Sequence, residues 1–486
     1  MLHLIRRLQL RSDHSKMNIK EPHSTKDKDR VPVGRKLAVG AGGFPVQNGG
    51  LIVQYMAQPI FQIFLGLNPA LFGLAMTIPR IWDAFTDPLM GRISDRTVSR
   101  YGRRRPYVFL GSIAVALSFL TIWMVPQNMG EMGTFLWLTA SSVLFFTAFT
   151  VYSVPFNALV YEQTPDYHER TRLMFYFALF YNIGNLCVNW YVPATSWSGF
   201  ENPLVGARWI ALGLALIVFF GMGILPAIFG KERFYEVAQK ENKKIGFMKA
   251  IGQAASSKPM MGLVGIVFAL NFCGTIAGSI AMYIVIYYVK AGDVAGGLVL
   301  NAWNGTGFAI VGFLGIFVLR WLALKYGKRR AMFFVLYLTA LGGIAKWYIF
   351  TPEYPHLLLL DAVLNGPVWV SLGVIVPSMI ADLCDWDEYK FGERREGIIS
   401  SVFTWITKFG TSFTFLVSGV ALHFSGFDEA LGVDQPEGTI TALRVFFVGA
   451  SVLAPILAIF CLRLYNITEE SAYNIREELE TRRGDV

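Results

Sequence analysis

Two carboxylates, Asp83 and Asp87, stand four residues apart inside an apolar run of membrane-spanning length. On a helix this spacing places both side chains on one face. A carboxylate in a hydrocarbon span is costly and is retained only where it faces a cavity or a partner. Two carboxylates with neighbouring hydroxyl or carbonyl oxygens form the hard oxygen cage that Na⁺ needs, and one of them can instead carry a proton. We therefore predict a cation site; the alternative is a structural ion pair with Arg80 or Lys408.

One lysine, Lys408, lies in the middle of another apolar segment. An unpaired ammonium there would be costly, so we expect it to face a central cavity and to pair with Asp83 or Asp87. The alternative is a lysine whose side chain reaches the membrane surface, and its distance from both ends of the segment disfavours this. Lys408 and Arg80 are the predicted charge partners of the cation site.

These charges belong to a chain of 486 residues that is 54% hydrophobic and only 16% charged, a composition typical of a membrane protein. Twelve apolar segments of about 20 residues or more follow Lys36, each long enough to cross a hydrocarbon core of about 30 Å. They cover residues 37–65, 69–93, 106–126, 133–161, 171–194, 205–229, 260–289, 296–320, 331–350, 357–383, 397–423 and 439–465. The sequence therefore predicts an all-α integral membrane fold.

Basic residues alternate between loops. The loops 92–105, 230–258 and 320–330 carry six, seven and five of them, whereas the turns 66–68, 127–132, 351–356 and 424–438 carry none. This bias places both termini in the cytoplasm. It also explains the net charge of +9 without nucleic acid as a partner.

An internal repeat predicts two six-helix halves. Arg100-Tyr-Gly-Arg-Arg-Arg105 recurs 225 residues later as Lys325-Tyr-Gly-Lys-Arg-Arg330, and Val154-Pro155 recurs as Val376-Pro377. The predicted organisation is a cytoplasmic tail, an amino-terminal bundle, a linker, a carboxy-terminal bundle and a second cytoplasmic tail, at residues 1–36, 37–229, 230–259, 260–465 and 466–486. The first sixteen residues precede a second candidate start, Met17.

Three motifs carry a family resemblance. The loop residues Gly91, Asp95, Arg96, Gly102 and Arg103-Arg-Arg105 resemble the loop signature of the major facilitator superfamily. The preceding run from Arg80 to Pro88 resembles the helix II signature of the glycoside-pentoside-hexuronide:cation symporters, and Ile380 to Lys390 resembles a third motif of that family. The resemblance implies a twelve-helix fold and cation-coupled symport of a sugar, glycoside or sugar acid by alternating access.

The same resemblance implies roles for particular residues. The family's cation-binding aspartates fall on Asp83 and Asp87, its cation-site oxygen ligands on Thr86 and Thr150, and its helix XI lysine on Lys408. The galactoside-binding positions are altered, because acids are replaced by Gln47 and Ser153, a tryptophan by Asn157 and an arginine by Ala178. The resemblance thus implies a retained cation site and a changed sugar site.

Amides and indoles are frequent in the segments expected to line the cavity, and together they suit a ligand rich in hydroxyl groups. This wider set is Gln47, Asn48, Gln54, Asn182, Asn185, Asn189, Trp190, Asn271, Asn304, Asn365, Trp369 and Trp405. Singly, most are as well explained as interhelical hydrogen-bond partners or interface anchors. The predicted substrate-binding residues are Gln47, Ser153, Asn157, Asn182, Trp369 and Trp405.

Charged residues where spans two, four and ten meet the basic loops predict a gate. The alternative is that they only determine topology, but this does not explain why an acid and glycines recur with the arginines. The predicted gating residues are Gly91, Asp95, Arg96, Arg104, Glu162, Asp382, Asp385 and Arg394, and those that close spans four and ten are expected to form ion pairs between the halves.

The expected function is cation-coupled sugar transport in the plasma membrane by a monomer, with Na⁺ or H⁺ as coupling ion, no cofactor and membrane lipid as surroundings. The four cysteines are widely spaced and predict neither a metal site nor a disulfide framework. One alternative is sodium-dependent lysophospholipid transport, which requires an apolar cleft open to lipid. A non-transporting receptor and an enzyme are further alternatives. The acidic pair and Lys408 disfavour a receptor, and no motif with a nucleophile and a base favours an enzyme.

Overall fold

The computed structural model describes residues 30–126, 129–164, 167–232, 257–391, 399, 403, 410, 413–427, 431, 434–436 and 438–483. The first eight helices are α1 (Val33–Ala41), α2 (Gly43–Ala57), α3 (Pro69–Arg96), α4 (Arg105–Trp123), α5 (Gly130–Tyr161), α6 (Tyr167–Thr195), α7 (Pro203–Leu214) and α8 (Gly223–Phe229). Wider π-helical turns continue α2 over Gln58–Phe64 and join α7 to α8 over Ala215–Met222.

Seven more helices follow the linker. They are α9 (Lys258–Tyr283), α10 (Val294–Tyr326), α11 (Lys328–Ile349), α12 (Leu360–Phe391), α13 (Thr414–Phe424), α14 (Thr439–Leu464) and α15 (Glu469–Arg483). A π-helical stretch, Ile284–Val289, extends α9, and a 3₁₀ turn, Pro355–Leu359, precedes α12.

Eight helical stretches in the described residues are long and apolar enough to cross a membrane. They are Arg105–Trp123, Gly130–Tyr161, Pro203–Phe229, Lys258–Val289, Val294–Tyr326, Lys328–Ile349, Pro355–Lys390 and Thr439–Leu464. The predicted spans 37–65, 69–93 and 171–194 are helical but do not meet this criterion, and about half of 397–423 lies outside the described residues. Those three spans carry predicted site residues, whose polar side chains lower the hydropathy of the helix.

The helices pack into two bundles. In the amino-terminal bundle, α4 and α3 pack on α5, and α1 and α2 pack on α6. In the carboxy-terminal bundle, α9 and α11 pack on α14, and α10 and α11 pack on α12. One apolar core lies mainly within the first bundle, and two others lie mainly within the second.

Each bundle uses an arginine in the same structural role. Arg208 of α7 donates to the carbonyl oxygens of Trp123 and Val125, both at 3.1 Å, where α4 ends. Arg444 of α14 donates to the carbonyl oxygen of Trp347 at 2.7 Å, near the end of α11. A cation at a helix carboxyl end satisfies free carbonyls and complements the helix dipole. The two bundles therefore end corresponding helices in the same way.

The bundles contact each other at one end of the molecule, where the turns 65–68 and 290–293 lie. Here α3 packs on α13, and α6 packs on α10. Gly419 of α13 lies against the carbonyl of Pro69 so closely that a Cβ atom would clash. We call this the sealed end, and we call the opposite end, with residues 97–104 and 230–232, the basic end.

The second contact at the sealed end joins α6 to α10. The indole of Trp190 donates to the hydroxyl of Thr306 at 3.0 Å and packs edge-on against Trp303. Gly305 lies against the amide oxygen of Asn189, where any Cβ atom would clash. Asn182, two turns from Asn189 toward the basic end on the same helix face, is exposed. The face of α6 between the bundles is therefore closed at the sealed end and open toward the basic end.

Candidate functional site

The predicted cation-site residues lie together where α3 meets α5. The hydroxyl of Thr150 is 2.8 Å from Asp83 Oδ1 and 3.1 Å from Asp87 Oδ1. Thr86 Oγ1 lies 3.3 Å from Thr150 Oγ1 and 3.3 Å from the carbonyl oxygen of Asp83. Asp83 is only 5% exposed, and Asp87 is partly buried. Carboxylate, hydroxyl and carbonyl oxygens thus converge, which is the donor set that a hard cation binds.

Arg80 lies one helical turn from Asp83 and binds α2. Its Nη2 donates to the carbonyl oxygen of Gly50 at 2.5 Å. With the Gln54 amide turned so that its oxygen faces the guanidinium, this oxygen accepts from Nη2 and, at 3.0 Å, from Nε. The guanidinium carbon is 4.4 Å from the centre of the Phe146 ring on α5. Arg80 therefore joins three helices beside the cation site.

The predicted substrate-binding residues divide into two groups. Gln47 and Ser153 are buried, and the Gln47 amide donates to Asn185 Oδ1 at 2.9 Å, across α2 and α6. Asn182 and Trp369 are exposed, and Asn157 is partly buried. The structure joins Gln47 to α6 and leaves Asn182 exposed on the same helix.

One member of the wider amide set, Asn365, lies away from the space between the bundles. Asn365 donates to Asp361 Oδ1 at 2.6 Å, and Asp361 lies 3.6 Å from the ammonium of Lys346, inside the carboxy-terminal bundle. For Asn365 the structure favours the alternative of a structural hydrogen-bond partner, because its amide binds the buried acid Asp361. Lys408, Trp405 and Arg394 lie outside the described residues.

The basic end carries a cluster of ion pairs around Glu162, where α5 ends. Arg104 Nη1 lies 2.8 Å from Glu162 Oε1, and its Nη2 lies 3.0 Å from Asp95 Oδ1. Arg103 also binds Glu162. The cluster joins the end of α3, the start of α4 and the end of α5, and it contains the predicted gating residues Asp95, Arg104 and Glu162. Gly91 lies on the last turns of α3, where an added Cβ atom would be in ordinary contact with Val154, and Arg96 at the end of α3 is exposed.

A glutamate that the sequence did not single out completes this cluster. Glu232 accepts hydrogen bonds from the backbone N–H groups of Arg103, Arg104 and Arg105 at 2.9, 2.9 and 3.0 Å. Gly102 has a φ of 100°, and a Cβ atom there would lie 2.6 Å from Glu232 Oε1. Glu232 thus binds the free N–H groups that begin α4.

Gln163, which is buried, holds the neighbouring residue of the linker. Its amide donates to the Lys231 carbonyl at 3.1 Å and accepts from the Lys231 N–H at 3.2 Å. The only sequence signal for these contacts is the position of polar residues directly after the apolar segments that end near 161 and 229.

Two of the predicted gating acids, Glu162 and Asp382, bind bases of their own bundle in this structure. Glu162 binds Arg103 and Arg104, and Asp382 binds Lys328 at 2.7 Å within the carboxy-terminal bundle. The expectation that Glu162 and Asp382 pair across the bundles is not met in this arrangement. Each acid already binds a base of its own bundle, which is arginine for Glu162 and Lys328 for Asp382. Asp385 lies on α12 near Asp382 and is partly buried.

A further buried acid anchors the start of the described chain at the basic end. Glu169, before the predicted span 171–194, is fully buried and lies 2.6 Å from Lys36 and 3.2 Å from Arg172. It also accepts from the Val31 N–H at 2.9 Å. Burial alone would raise its pKa, but the hydrogen bonds from Lys36 and Val31 and the charge of Lys36 together lower the pKa below its usual value.

Residues 38–469 match the family described as MFS/sugar transport protein. The chain belongs to that family. The match includes the predicted cation-site residues on α3 and α5 and the cluster of ion pairs around Glu162. The family is one of multi-pass integral membrane proteins, in agreement with the eight apolar helices.

This chain is similar to curated relatives over nearly its whole length. It is 26% identical to an uncharacterised symporter, sll1374, of Synechocystis, over 92% of this chain and 96% of the relative. It is 22% identical to the isoprimeverose transporter of Lactiplantibacillus pentosus, over 92% and 91%. It is also 22% identical to the sodium-dependent lysophosphatidylcholine symporter 1-A of Danio rerio, over 93% and 89%.

Among solved structures, the chain is similar to a bacterial homologue of the human lysosomal transporter Spinster in an inward-facing conformation. The TM-score is 0.66 at 13% identity, and the similarity covers 93% of this chain and 99% of that structure. This likeness supports the all-helical major facilitator fold.

Proposed function

We propose that the protein is a secondary active transporter that couples the inward movement of Na⁺ or H⁺ to symport of a sugar, glycoside or sugar acid. The observation that carries the proposal is the position of the Thr150 hydroxyl within hydrogen-bond distance of both Asp83 and Asp87. The symporters among the relatives and the sugar-transport family support it.

The proposed architecture has twelve transmembrane helices in two six-helix halves, with the basic end and both termini in the cytoplasm of a plasma-membrane protein. Sealing at one end and exposure of Asn182 toward the other correspond to one of the two states that alternating access requires. With this orientation, the state is open to the cytoplasm. Glu162, Arg104, Asp95 and Arg96 then line the proposed cytoplasmic gate.

In this mechanism the cation binds between Asp83 and Asp87, with Thr86 and Thr150 as further oxygen ligands. Lys408 and Arg80 are the proposed charge partners. The substrate is proposed to bind near Gln47, Ser153, Asn157, Asn182, Trp369 and Trp405. Because the acids of the galactoside site are absent at Gln47 and Ser153, the proposed substrate is a neutral glycoside or a uronic-acid-type sugar rather than melibiose.

A second candidate is transport of a lysophospholipid. An apolar cleft of about 720 Å³ opens at the sealed end between α6, α7 and α10, lined by Trp190, Pro193, Trp197, Phe200, Ile210 and Val299. This is the kind of cleft that an acyl chain fits. A lysophosphatidylcholine symporter among the relatives also favours this candidate.

Uptake by proteoliposomes tests both candidates. Labelled mono- and oligosaccharides, uronic acids and lysophosphatidylcholine are presented with a Na⁺ gradient, with a proton gradient and with neither. We expect gradient-driven accumulation of a sugar, and its loss in Asp83→Asn and Asp87→Asn. Accumulation of the lysophospholipid alone would favour the second candidate. Unchanged accumulation in both variants would contradict the cation site.

A further inference from the structure

Four glutamines lie along one face of α2 and its π-helical extension. Gln47, Gln54, Gln58 and Gln62 are spaced by seven, four and four residues, which keeps side chains on one side of a helix. We call this set the glutamine stripe. Gln47 binds Asn185 of α6, so the stripe begins at the proposed substrate site.

The second member of the stripe contacts the cation site through Arg80. The guanidinium of Arg80 binds the oxygen of Gln54 and the carbonyl of Gly50. Arg80 is one helical turn from Asp83 and two from Asp87, and both carboxylates attract it electrostatically. A cation bound between the carboxylates cancels part of that attraction. The guanidinium is then held more by α2 and less by the acids.

The third member contacts the other bundle. Gln58 is one turn beyond Gln54 and is buried, and its amide donates to the carbonyl oxygen of Ser279 on α9 at 3.1 Å. This contact lies at the sealed end. A single helix face therefore joins the residue that binds Arg80 to a residue that holds the two bundles together.

The helix that carries the glutamine stripe changes from α to π at this contact. Pro59 has no backbone N–H, and the chain widens from an α-helix to a π-helix at Gln58. Such wide turns permit local changes of register. Both amide atoms of Gln62, which is 1% exposed, lack a hydrogen-bond partner among the described residues. An unpaired buried amide makes this arrangement less stable than one in which water or a partner reaches it.

We propose that Gln54 and Gln58 are positioning residues that transmit cation occupancy at Asp83 and Asp87 to the closure of the sealed end. Gln54 and Gly50 move with the Arg80 guanidinium, α2 carries the movement, and Gln58 strengthens or weakens its contact with Ser279. The inference rests on the proposed function, because it requires that a cation binds at Asp83 and Asp87. Neither glutamine binds the cation itself.

The test uses the full chain in nanodiscs, with Na⁺ as the first probe and a step to acid pH in Na⁺-free buffer as the second. Cation binding is measured as a shift in melting temperature. Closure of the sealed end is measured as hydrogen exchange of residues 276–289. In the native protein we expect the cation to raise the melting temperature and to change this exchange by about fivefold or more, the lower end of ordinary coupling factors.

Gln54→Leu is expected to keep the shift in melting temperature and to lose the change in exchange. Gln58→Leu removes the contact with Ser279. This variant is expected to raise hydrogen exchange of residues 276–289 both with and without the cation. The control is Tyr55→Phe, next to Gln54 on an exposed face, which should behave as the native protein. A merely structural role of Gln54 would alter the melting temperature and leave the exchange response in place.

Two results would overturn the inference while leaving the proposed function intact. One is a native protein whose melting temperature responds to the cation but whose exchange does not. The other is a native exchange response in both Gln54→Leu and Gln58→Leu. If neither Na⁺ nor acid shifts the melting temperature of the native protein, the cation site itself is wrong and the inference falls with it.

Discussion

The hydroxyl of Thr150 on α5 lies 2.8 Å from a carboxylate oxygen of Asp83 on α3. The same hydroxyl is 3.1 Å from Asp87. A hydroxyl has a single proton and donates to one carboxylate at a time. The carboxylate that does not receive this proton can serve as a ligand of a bound Na⁺ or carry a proton itself.

Thr150→Val is expected to lower cation affinity about tenfold or more, because it removes a proposed oxygen ligand of the cation, an interaction with a charged partner worth roughly 1.5–3 kcal/mol. Thr150→Ser, which keeps the hydroxyl, should stay close to the native affinity. The measurement is the Na⁺ concentration dependence of the melting temperature. Equal affinities in the two variants would remove Thr150 from the site.

At the basic end, Glu162→Gln should slow transport more than Asp95→Asn does. The side chain of Glu162 is 15% exposed and binds two arginines, whereas that of Asp95 is 57% exposed and binds one. Exposed ion pairs contribute about 0–1 kcal/mol, but removing one partner of a buried pair costs about 3–5 kcal/mol. Initial rates and KM in proteoliposomes provide the comparison, and we expect the rates to change more than KM. A collapse of substrate affinity with an unchanged rate would rule out a gating role.

Gly305→Ala should slow transport by up to about tenfold, because its Cβ atom would displace the Asn189 amide and loosen the contact between α6 and α10. Gly312→Ala on the same helix is the matched control, since its Cβ would be in ordinary contact, 3.8 Å from Val370. Hydrogen exchange of residues 294–306 should rise in the first variant only. Native exchange and transport in Gly305→Ala would mean that this contact does not close the sealed end.

Glu169 makes stability depend on pH in a defined direction. Because its pKa is lowered in the folded protein, it stabilises the fold at pH values above the ordinary carboxyl pKa of 4.5. That contribution is lost as the pH falls through the lower, folded-state pKa. Glu169→Gln should lower the melting temperature at neutral pH, and the difference from the native protein should shrink in acid. A difference that stays constant on acidification would contradict the role of the charge.

How far the sequence predicts the fold depends on whether a feature is local. The apolar span 133–161 corresponds closely to α5, Gly130–Tyr161. The proximity of Asp83 and Asp87 follows from their spacing on one helix. Thr150 lies on another helix, 63 residues from Asp87. Only the family resemblance predicted it, because no spacing rule relates side chains on separate helices.

The contacts that were missed or misassigned are those made to backbone groups or between distant segments. Glu232 binds three N–H groups, and a sequence does not show which backbone a linker residue will meet. Gln54 was predicted as one of the amide-rich set, but its contact with Arg80 was not predicted. Composition identifies a polar residue in a membrane helix but not the neighbour that it faces.

The attachment of Lys231 and Glu232 to the amino-terminal bundle has a consequence for the connection between the bundles. Only residues 233–256, 24 residues, separate this attachment from Ser257, which directly precedes α9. A chain of that length can reach about 80 Å when extended, well beyond the roughly 30 Å hydrocarbon thickness. A connection of this length keeps the two bundles at a high effective concentration for each other, and its length by itself sets no limit on their relative rotation.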